Sequence, residues 1–203
     1  GSAGRGAGKS ATVAGFGAGG AAVEVTMLAT TVSQREADPT AWPGAPGGMS
    51  DAAVGLPWDM IWQRLEGWVA YRWTPRDVTW IVEGPGHWTA PLAPATVSAG
   101  YRWTGEAWAT FTLPAGPFGH DLPAGIYKIE ASVGGGDVPD AVNEAFRRLA
   151  EYMADAIATP AGARSYAAET GQLSERVTRD PAWMAKALHQ SGAADLLRPY
   201  RRA

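Results

Sequence analysis

Cysteine is absent from this 203-residue chain. The sequence therefore offers no disulfide framework, no thiolate zinc site and no cysteine nucleophile, which is consistent with assembly in a reducing cytoplasm. The chain also has no run of about 18 apolar residues, so we expect no membrane span. Charged residues make up only 18% of the chain and the formal net charge is -3, which excludes a strongly basic nucleic-acid-binding protein.

Tryptophan, glycine and proline are abundant, with 10, 26 and 15 copies, and they are unevenly distributed. Residues 1–50 hold eleven of the glycines and only six charged residues. This composition predicts an extended N-terminal arm that gains order from a neighbour, with a weak strand pattern over 22–33. Nine of the ten tryptophans lie between Trp42 and Trp108, so the middle of the chain is predicted to carry the large aromatic contacts.

The hydrophobic periodicity of the remainder predicts one domain over 51–203, in which the pattern changes from helix to strand and back to helix. Apolar residues recur at helical spacing before and after a central region of alternating residues and turns. Polar residues over 161–179 predict an exposed connection. The predicted elements are a helix over 57–72, a small antiparallel sheet over 78–133, a long helix over 138–158, a shorter helix over 181–191 and a tail over 193–203.

Two glycine-rich stretches approach nucleotide-binding motifs without the context that those motifs need. Residues 3–10, AGRGAGKS, have Ala3 where a P-loop has its first glycine, and no strand precedes them. Residues 15–20, GFGAGG, match the dinucleotide pattern, but a strand-like segment follows where a helix is required. We expect a flexible arm here and no cofactor.

The histidines give no sign of a metal or catalytic site. They lie far apart in sequence, on a predicted turn, a loop and a helix, and their spacing does not match a metal motif. A Ser/His/Asp site would need a nucleophile elbow or a similar context, which is missing. We therefore expect no metal, no catalytic residues and no enzymatic activity.

The tryptophans allow two interpretations. The periodicity places four of them in the core: Trp62, Trp68, Trp80 and Trp108. Trp88, beside a Gly-His turn, and Trp103, beside a hairpin turn, are predicted to be exposed. Exposed indoles mark either a subunit interface or a sugar-stacking platform, and the first interpretation is favoured. The three arginines within 198–202 suit an acidic protein surface, nucleic acid or a membrane.

Several stretches resemble head–tail connector (adaptor, or head-completion) proteins of tailed bacteriophages. They are residues 68–73 (WVAYRW), 78–86 (VTWIVEGPG), 138–152 (VPDAVNEAFRRLAEY) and 191–202 (SGAADLLRPYRR). The resemblance covers about 57–203 and is closest to the adaptors of marine siphophages and of gene transfer agents of alphaproteobacteria. Its most specific part is the ending DLLRPYR, because many such adaptors finish with a short helix and a basic Pro-Tyr-Arg tail.

The resemblance implies an α+β fold: a helical bundle with a small antiparallel β-stem, to which this chain adds an extended N-terminal arm over 1–50 and a C-terminal tail. Residues 1–50 depart from the family, whose members often open with a helical pair. The sheet between Val78 and Val133 would be the stem.

The resemblance also implies a structural function in the virion, at the head–tail junction, after assembly in the host bacterial cytoplasm. The protein would form a homo-oligomeric ring, a dodecamer as in the family, below the portal protein. Its other end would receive the stopper or tail-terminator protein, and genomic DNA would pass through the lumen without sequence-specific binding. The acidic excess over 51–137, nine Asp/Glu against five Lys/Arg, would let DNA slide in such a channel.

The residues expected to carry this function fall in two groups. The portal-docking tail would comprise Asp195, Leu196, Leu197, Arg198, Tyr200, Arg201 and Arg202. The subunit interface would comprise Trp88, Trp103 and Arg102. The alternative is a Trp-rich β-module of a tail or baseplate accessory protein that binds glycans.

Overall fold

A computed structural model describes residues 27–157, 165–170, 173–178 and 184–201. The chain folds into two compact units, and each of them is discontinuous in sequence. Unit 1 comprises Gly1–Ala37, Asp77–Ala90 and Thr96–Ser132. Unit 2 comprises Asp38–Arg76, Pro91–Ala95 and Val133–Ala203.

Strands and helices alternate in blocks along the described residues. The strands are β1 Thr30–Glu36, β2 Arg76–Trp88, β3 Ala95–Trp103, β4 Trp108–Thr110, β5 Ala115–Gly116, β6 Gly119–Val133, β7 Ser165–Thr170 and β8 Leu173–Thr178. The helices are α1 Asp51–Val54, α2 Trp58–Trp68, α3 Asp140–Ile157, α4 Ala187–Gln190 and α5 Ala193–Leu196, followed by a 3-10 turn over Arg198–Tyr200. Thus α2 lies within the predicted helix 57–72, and α3 lies within the predicted helix 138–158.

Unit 1 is built on a six-stranded antiparallel sheet. Five strands follow the order β1-β2-β6-β3-β4, and the short β5 pairs with the beginning of β6. Every second side chain is buried over 78–82 of β2 and over 127–133 of β6, as expected for a sheet with one buried face. The buried residues on these two strands are Val78, Trp80, Val82, Trp88, Leu122, Tyr127, Ile129, Ala131 and Val133.

The expected fold class, a helical bundle with a small β-stem, is wrong. The sheet is the largest element of the structure, and helices are few. Two physical facts account for the error: β2 and β6 are long, at 13 and 15 residues, and β1 adds a further strand from within the segment expected to be an arm. Strand pairing between distant segments leaves no local pattern in the sequence.

β1 joins the sheet through polar side chains. Gln34 lies opposite Trp80 in the β1–β2 register, and its Oε1 accepts a hydrogen bond from the Trp80 indole N–H at 2.8 Å. The Trp88 indole N–H donates to Thr31 Oγ1 at 3.0 Å. A buried indole N–H needs such an acceptor, so the polar residues of β1 satisfy the tryptophans of β2.

Unit 2 has a helical core between α2 and α3. The ring centroids of Trp62 and Phe146 lie 5.0 Å apart, and those of Trp62 and Trp73 lie 6.2 Å apart. The apolar stripe of α3 is spaced at three and four residues, so one face of this helix packs on α2 and on the short helices α1, α4 and α5. The buried residues of α3 are Val142, Ala145, Phe146, Leu149, Ala150, Met153 and Ala154. The predicted burial of Trp62 and Trp80 is confirmed.

A buried carboxylate organises the end of α2. Glu66 accepts the Trp73 backbone N–H at 2.8 Å and pairs with the Arg76 guanidinium. Arg72, also buried, donates to the carbonyls of Glu66 and Val69 at 2.8 and 3.0 Å. The last carbonyls of a helix lack partners within it, so the arginine supplies the donors that close α2.

Part of the segment predicted as an exposed connection over 161–179 is instead a β-hairpin. β7 and β8 pair as an antiparallel two-stranded sheet, with Tyr166 opposite Val177. Alternating small and polar residues hid these strands from the hydrophobic pattern. The predicted helix over 181–191 is represented by a turn at 184–186 and by α4, and residues 179–183 lie outside the described part of the chain.

Candidate functional site

The C-terminal segment, defined as Asp195–Arg201, is anchored on unit 2. Leu197 is fully buried in the helical core, and Leu196 is half-buried against it. The Tyr200 ring contacts Tyr71 and Trp73, with centroids 5.7 and 5.6 Å apart. The segment is therefore docked on its own unit through its apolar side chains.

The same segment is tied to the residues that follow α2. The Ala70 backbone N–H donates to the Tyr200 carbonyl at 3.2 Å. The guanidinium of Arg201 lies over the Trp68 indole, and its positive charge is attracted to the ring face. A basic side chain near the end of a helix is also favoured by the helix dipole.

Two guanidinium groups remain at the surface of the C-terminal segment. Arg198 is 79% exposed and pairs with the similarly exposed Asp195 at 2.7 Å, whereas Arg201 is exposed beside Trp68. Leu197, which the resemblance assigns to the portal-docking tail, is fully buried in the core of unit 2 and is therefore unavailable to a partner. Arg202 lies outside the described residues.

The hairpin pair, defined as Trp103 and Trp108, is the aromatic surface of unit 1. The two residues are directly opposite each other on β3 and β4, and their rings make an edge-to-face contact at 5.2 Å. Their exposures are 38% and 37%. The predicted exposure of Trp103 is confirmed, and the predicted burial of Trp108 is wrong because β4 is an outer strand of the sheet.

Polar and aromatic neighbours surround the hairpin pair. The Lys128 ammonium lies 4.2 Å from the Tyr101 ring centroid and 6.0 Å from that of Trp108. Glu130 pairs with Lys128 at 2.8 Å. Tyr101 and Trp103 are two residues apart on β3, and Lys128 and Glu130 are two residues apart on β6. Residues with this spacing lie on one face of a strand, so the spacing is the sequence signal that could have grouped each pair.

Arg102 lies beside the hairpin pair and is held in place. Its guanidinium donates to the Ala124 carbonyl at 2.9 Å. Arg102 and Trp103 are consecutive residues of β3, so their side chains point to opposite faces of the sheet. The predicted interface of Trp103 and Arg102 is therefore not one continuous surface.

The expected exposure of Trp88 is wrong. This side chain is only 2% exposed, contacts Trp80 edge-to-face at 5.4 Å and stacks on His120 at 6.1 Å. Gly86, the glycine predicted to form a turn, instead lets β2 continue to Trp88. Trp88 is therefore a core residue of unit 1, and of the two tryptophans predicted at the subunit interface only Trp103 is exposed.

A chain of polar contacts joins four residues of unit 1. His87 Nδ1 lies 3.0 Å from Asp121 Oδ1, and its Nε2 lies 3.3 Å from Thr89 Oγ1. The Thr89 hydroxyl lies 2.7 Å from the Phe118 carbonyl and donates to it. This donation directs the hydroxyl proton to a backbone acceptor, so the contacts fix β2 against the residues around β6.

The described residues contain neither a metal-binding cluster nor a membrane-spanning helix. Within the described ranges, no group of three or more His, Asp or Glu side chains is arranged to hold a metal ion. No helix in that same part of the chain has the length and apolar character to cross a membrane. The glycine-rich stretches 3–10 and 15–20 lie outside the described residues.

Comparison with known proteins gave no match: no family model, curated protein or solved structure resembles the chain significantly.

Proposed function

We propose that the protein is a structural head–tail adaptor of a tailed phage or phage-like particle. It would form a ring beneath the portal, join the portal to the stopper or tail-terminator protein and line part of the DNA channel. The support comes from the sequence resemblance over 57–203 and from the surface of the C-terminal segment. The proposal does not depend on a helical-bundle fold.

The observation that carries the proposal is that the apolar residues of the DLLRPYR ending anchor it on unit 2, whereas its basic residues remain at the surface. Leu197 and Tyr200 hold the segment on unit 2, while Arg198 projects into solvent. A preformed segment with an exposed guanidinium can pair with a carboxylate of another protein without first being ordered. Portal docking would then use the outer face of the segment, with Arg198 as its exposed basic contact.

Charge reversal at Arg198 tests portal docking. We expect R198E to bind a purified portal ring at least tenfold more weakly than the wild type, because an exposed cation becomes an anion facing an acidic surface. K186E, which reverses another exposed cation of unit 2 outside the segment, should bind the portal normally. Surface plasmon resonance and joining of tails to portal-containing heads give the two readouts.

Equal portal binding by R198E and the wild type would contradict this docking role. Deletion of residues 197–203 is a poor substitute for the point variant, because it removes a fully buried leucine from the core. Loss of such a side chain destabilises the protein by several kcal/mol and would mimic a loss of docking.

A second candidate function, glycan binding, is favoured by the half-exposed hairpin pair. An indole face beside Lys128 and Glu130 offers both an apolar surface and polar partners for hydroxyl groups. Under this alternative, W103A would abolish binding on a glycan array, whereas W58A would not. Trp58 is a suitable control because its side chain is also exposed but belongs to unit 2.

A further inference from the structure

Three side chains of unit 1 form a linear series: the carboxylate of Asp121, the imidazole of His87 and the hydroxyl of Thr89. Asp121 Oδ1 lies 3.0 Å from His87 Nδ1, and His87 Nε2 lies 3.3 Å from Thr89 Oγ1. The two nitrogens of one imidazole therefore face a carboxylate and a hydroxyl. In this arrangement a histidine that is oriented by a carboxylate can remove the proton of an attacking hydroxyl.

The alternation of side chains along the chain explains why the imidazole and the hydroxyl lie together. His87 and Thr89 are two residues apart, so their side chains lie on the same side of the extended backbone and Trp88 points to the other side. Trp88 is buried in the core of unit 1, whereas Thr89 is exposed. Asp121 reaches the imidazole from β6, so the series joins two neighbouring strands at the surface.

The carboxylate fixes the tautomer of the neutral imidazole. A carboxylate only accepts hydrogen bonds, so the ring proton lies on Nδ1 and is donated to Asp121. Nε2 then carries a lone pair that faces the Thr89 hydroxyl. At rest that hydroxyl donates to the Phe118 carbonyl at 2.7 Å. Rotation of the hydroxyl about its Cβ–Oγ bond redirects the proton to Nε2 without a movement of the chain.

Exposed apolar side chains adjoin the same hydroxyl. Phe118 is 77% exposed, and its ring meets the His87 imidazole edge-to-face at 5.7 Å. Leu28, which is also largely exposed, pairs with His87 through the backbone. Large exposed apolar side chains that lie together mark a binding surface. The apolar part of a small molecule can therefore rest on Phe118 while its polar part meets Thr89.

We propose that Thr89 is the nucleophile of an acyl-transfer site that hydrolyses aryl esters of short carboxylic acids. An aryl ester fits because its ring can pack on Phe118 and because a phenolate leaves more readily than an alkoxide. This activity is separate from the proposed adaptor function and does not depend on it.

The first half of the reaction forms an acyl-threonine. His87 Nε2 takes the hydroxyl proton while Thr89 Oγ forms a bond to the ester carbonyl carbon. Collapse of the tetrahedral adduct breaks the bond between that carbon and the aryl oxygen, and the proton on Nε2 passes to the departing phenolate. In the second half, water gives a proton to Nε2 and attacks the acyl carbon. The carboxylic acid is released, and the proton returns from Nε2 to Thr89 Oγ.

Hydrolysis of 4-nitrophenyl acetate by the purified full chain tests the proposal. T89V keeps the branched shape of the side chain and removes only the hydroxyl, and H87Q removes the base. We expect both variants to lose at least about tenfold of the rate above the spontaneous background, and T89S to retain activity because it keeps the hydroxyl.

Two matched controls separate this site from general surface reactivity. T110V changes another exposed threonine of unit 1, and H120Q changes its other histidine; both should keep the wild-type rate. Equal rates of T89V and the wild type, or of H87Q and H120Q, would overturn the proposal. Far-UV circular dichroism establishes that each variant is folded.

Mass spectrometry of acid-quenched protein locates the acyl group independently of the rate. We expect one acetyl group on Thr89 in the wild type, one on the serine of T89S and none in T89V. Acetylation confined to lysines or to other hydroxyl groups would overturn the assignment of the nucleophile. None of these outcomes bears on portal binding by Arg198, which has its own experiment.

Discussion

The guanidinium of Arg201 lies over the indole of Trp68, with its Cζ atom 4.6 Å from the ring centroid. The edge of His189 approaches the same indole at 4.9 Å. Trp68, the last residue of α2, is therefore held between α4 and the C-terminal segment. This contact links the position of the exposed arginines to the helical core of unit 2.

Removal of the Arg201 guanidinium should loosen the C-terminal segment. We expect R201A to lower the free energy of unfolding by about 1 kcal/mol, the usual contribution of a partly exposed cation–π contact. R201K keeps the positive charge and should recover much of this loss. Urea unfolding of the three proteins measures the difference, and equal stability of R201A and the wild type would contradict a stabilising role.

Neutralisation of Glu66 should be among the most damaging single changes in unit 2. E66Q removes the negative charge that faces the Arg76 guanidinium in a buried site, and the loss of one partner of a buried ion pair costs about 3 kcal/mol. E144Q is the control, because Glu144 makes its ion pairs with Arg147 and Arg148 at the surface. Thermal unfolding should show a large decrease for E66Q and almost none for E144Q.

The carboxylate of Glu151 makes a pH-dependent contribution to the stability of unit 2. Ser50 donates to it from the backbone N–H at 2.6 Å and from the hydroxyl at 2.7 Å, and these bonds hold the pKa of Glu151 below its usual range. Because the folded-state pKa is lowered, the stabilisation is present above the unfolded-state pKa. It is lost as the pH falls through the folded-state value.

S50A should raise the pKa of Glu151 towards its ordinary value, since one of the two donors is removed. The substitution also removes the N-cap of α1, whose hydroxyl oxygen accepts the Ala53 N–H, at a cost of about 1 kcal/mol. Carboxyl NMR titration measures the pKa directly. S98A, which removes an exposed hydroxyl of β3, should leave the Glu151 titration unchanged, and an unchanged titration in S50A would refute the assignment.

Substitutions at two glycines of unit 1 distinguish the cost of backbone strain from the cost of a steric clash. Gly86 and Gly105 have backbone φ angles of +135° and +105°, which residues with a side chain rarely adopt. A Cβ at Gly86 would lie 2.4 Å from the Met27 carbonyl oxygen, whereas one at Gly105 meets nothing within 4 Å. We expect G105A to cost about 1 kcal/mol and G86A clearly more; equal losses in denaturant unfolding would show that the close approach is unimportant.

Helices and the tryptophan core were predictable because their information is local. The stripe from Val142 to Ile157 has the period of a helix, and α3 occupies nearly the predicted range. Trp62 and Trp80 follow the helix and strand periods in the same way, and both are buried. Each of these predictions needed only residues within a few positions of one another.

The size of the sheet was not predictable, because strand pairing joins distant residues. The weak strand pattern over 22–33 overlaps only the first half of β1, and the roles of Thr31 and Gln34 become evident only beside the indoles of β2. Trp88 was placed at the surface for the same reason: the glycine before it is equally compatible with a turn and with a strand that passes close to another backbone.

The candidate site was predicted in part. The C-terminal segment was identified by its sequence, but burial of Leu197 depends on packing against helices far away in the chain. The exposed surface around Trp108 was missed, because the outer position of β4 follows from the strand order and not from the local pattern. The remaining assignments to partners stay predictions.

The interleaving of the two units has a consequence for how the polypeptide acquires its structure. The helical core of unit 2 joins residues before position 77 to residues after position 132, so it cannot form until the intervening sheet segment has been synthesised. Contacts of such sequence separation carry a large loop-closure cost and slow folding. Neither unit corresponds to one continuous stretch of the gene, and a truncation between positions 77 and 132 would therefore remove parts of both units at once.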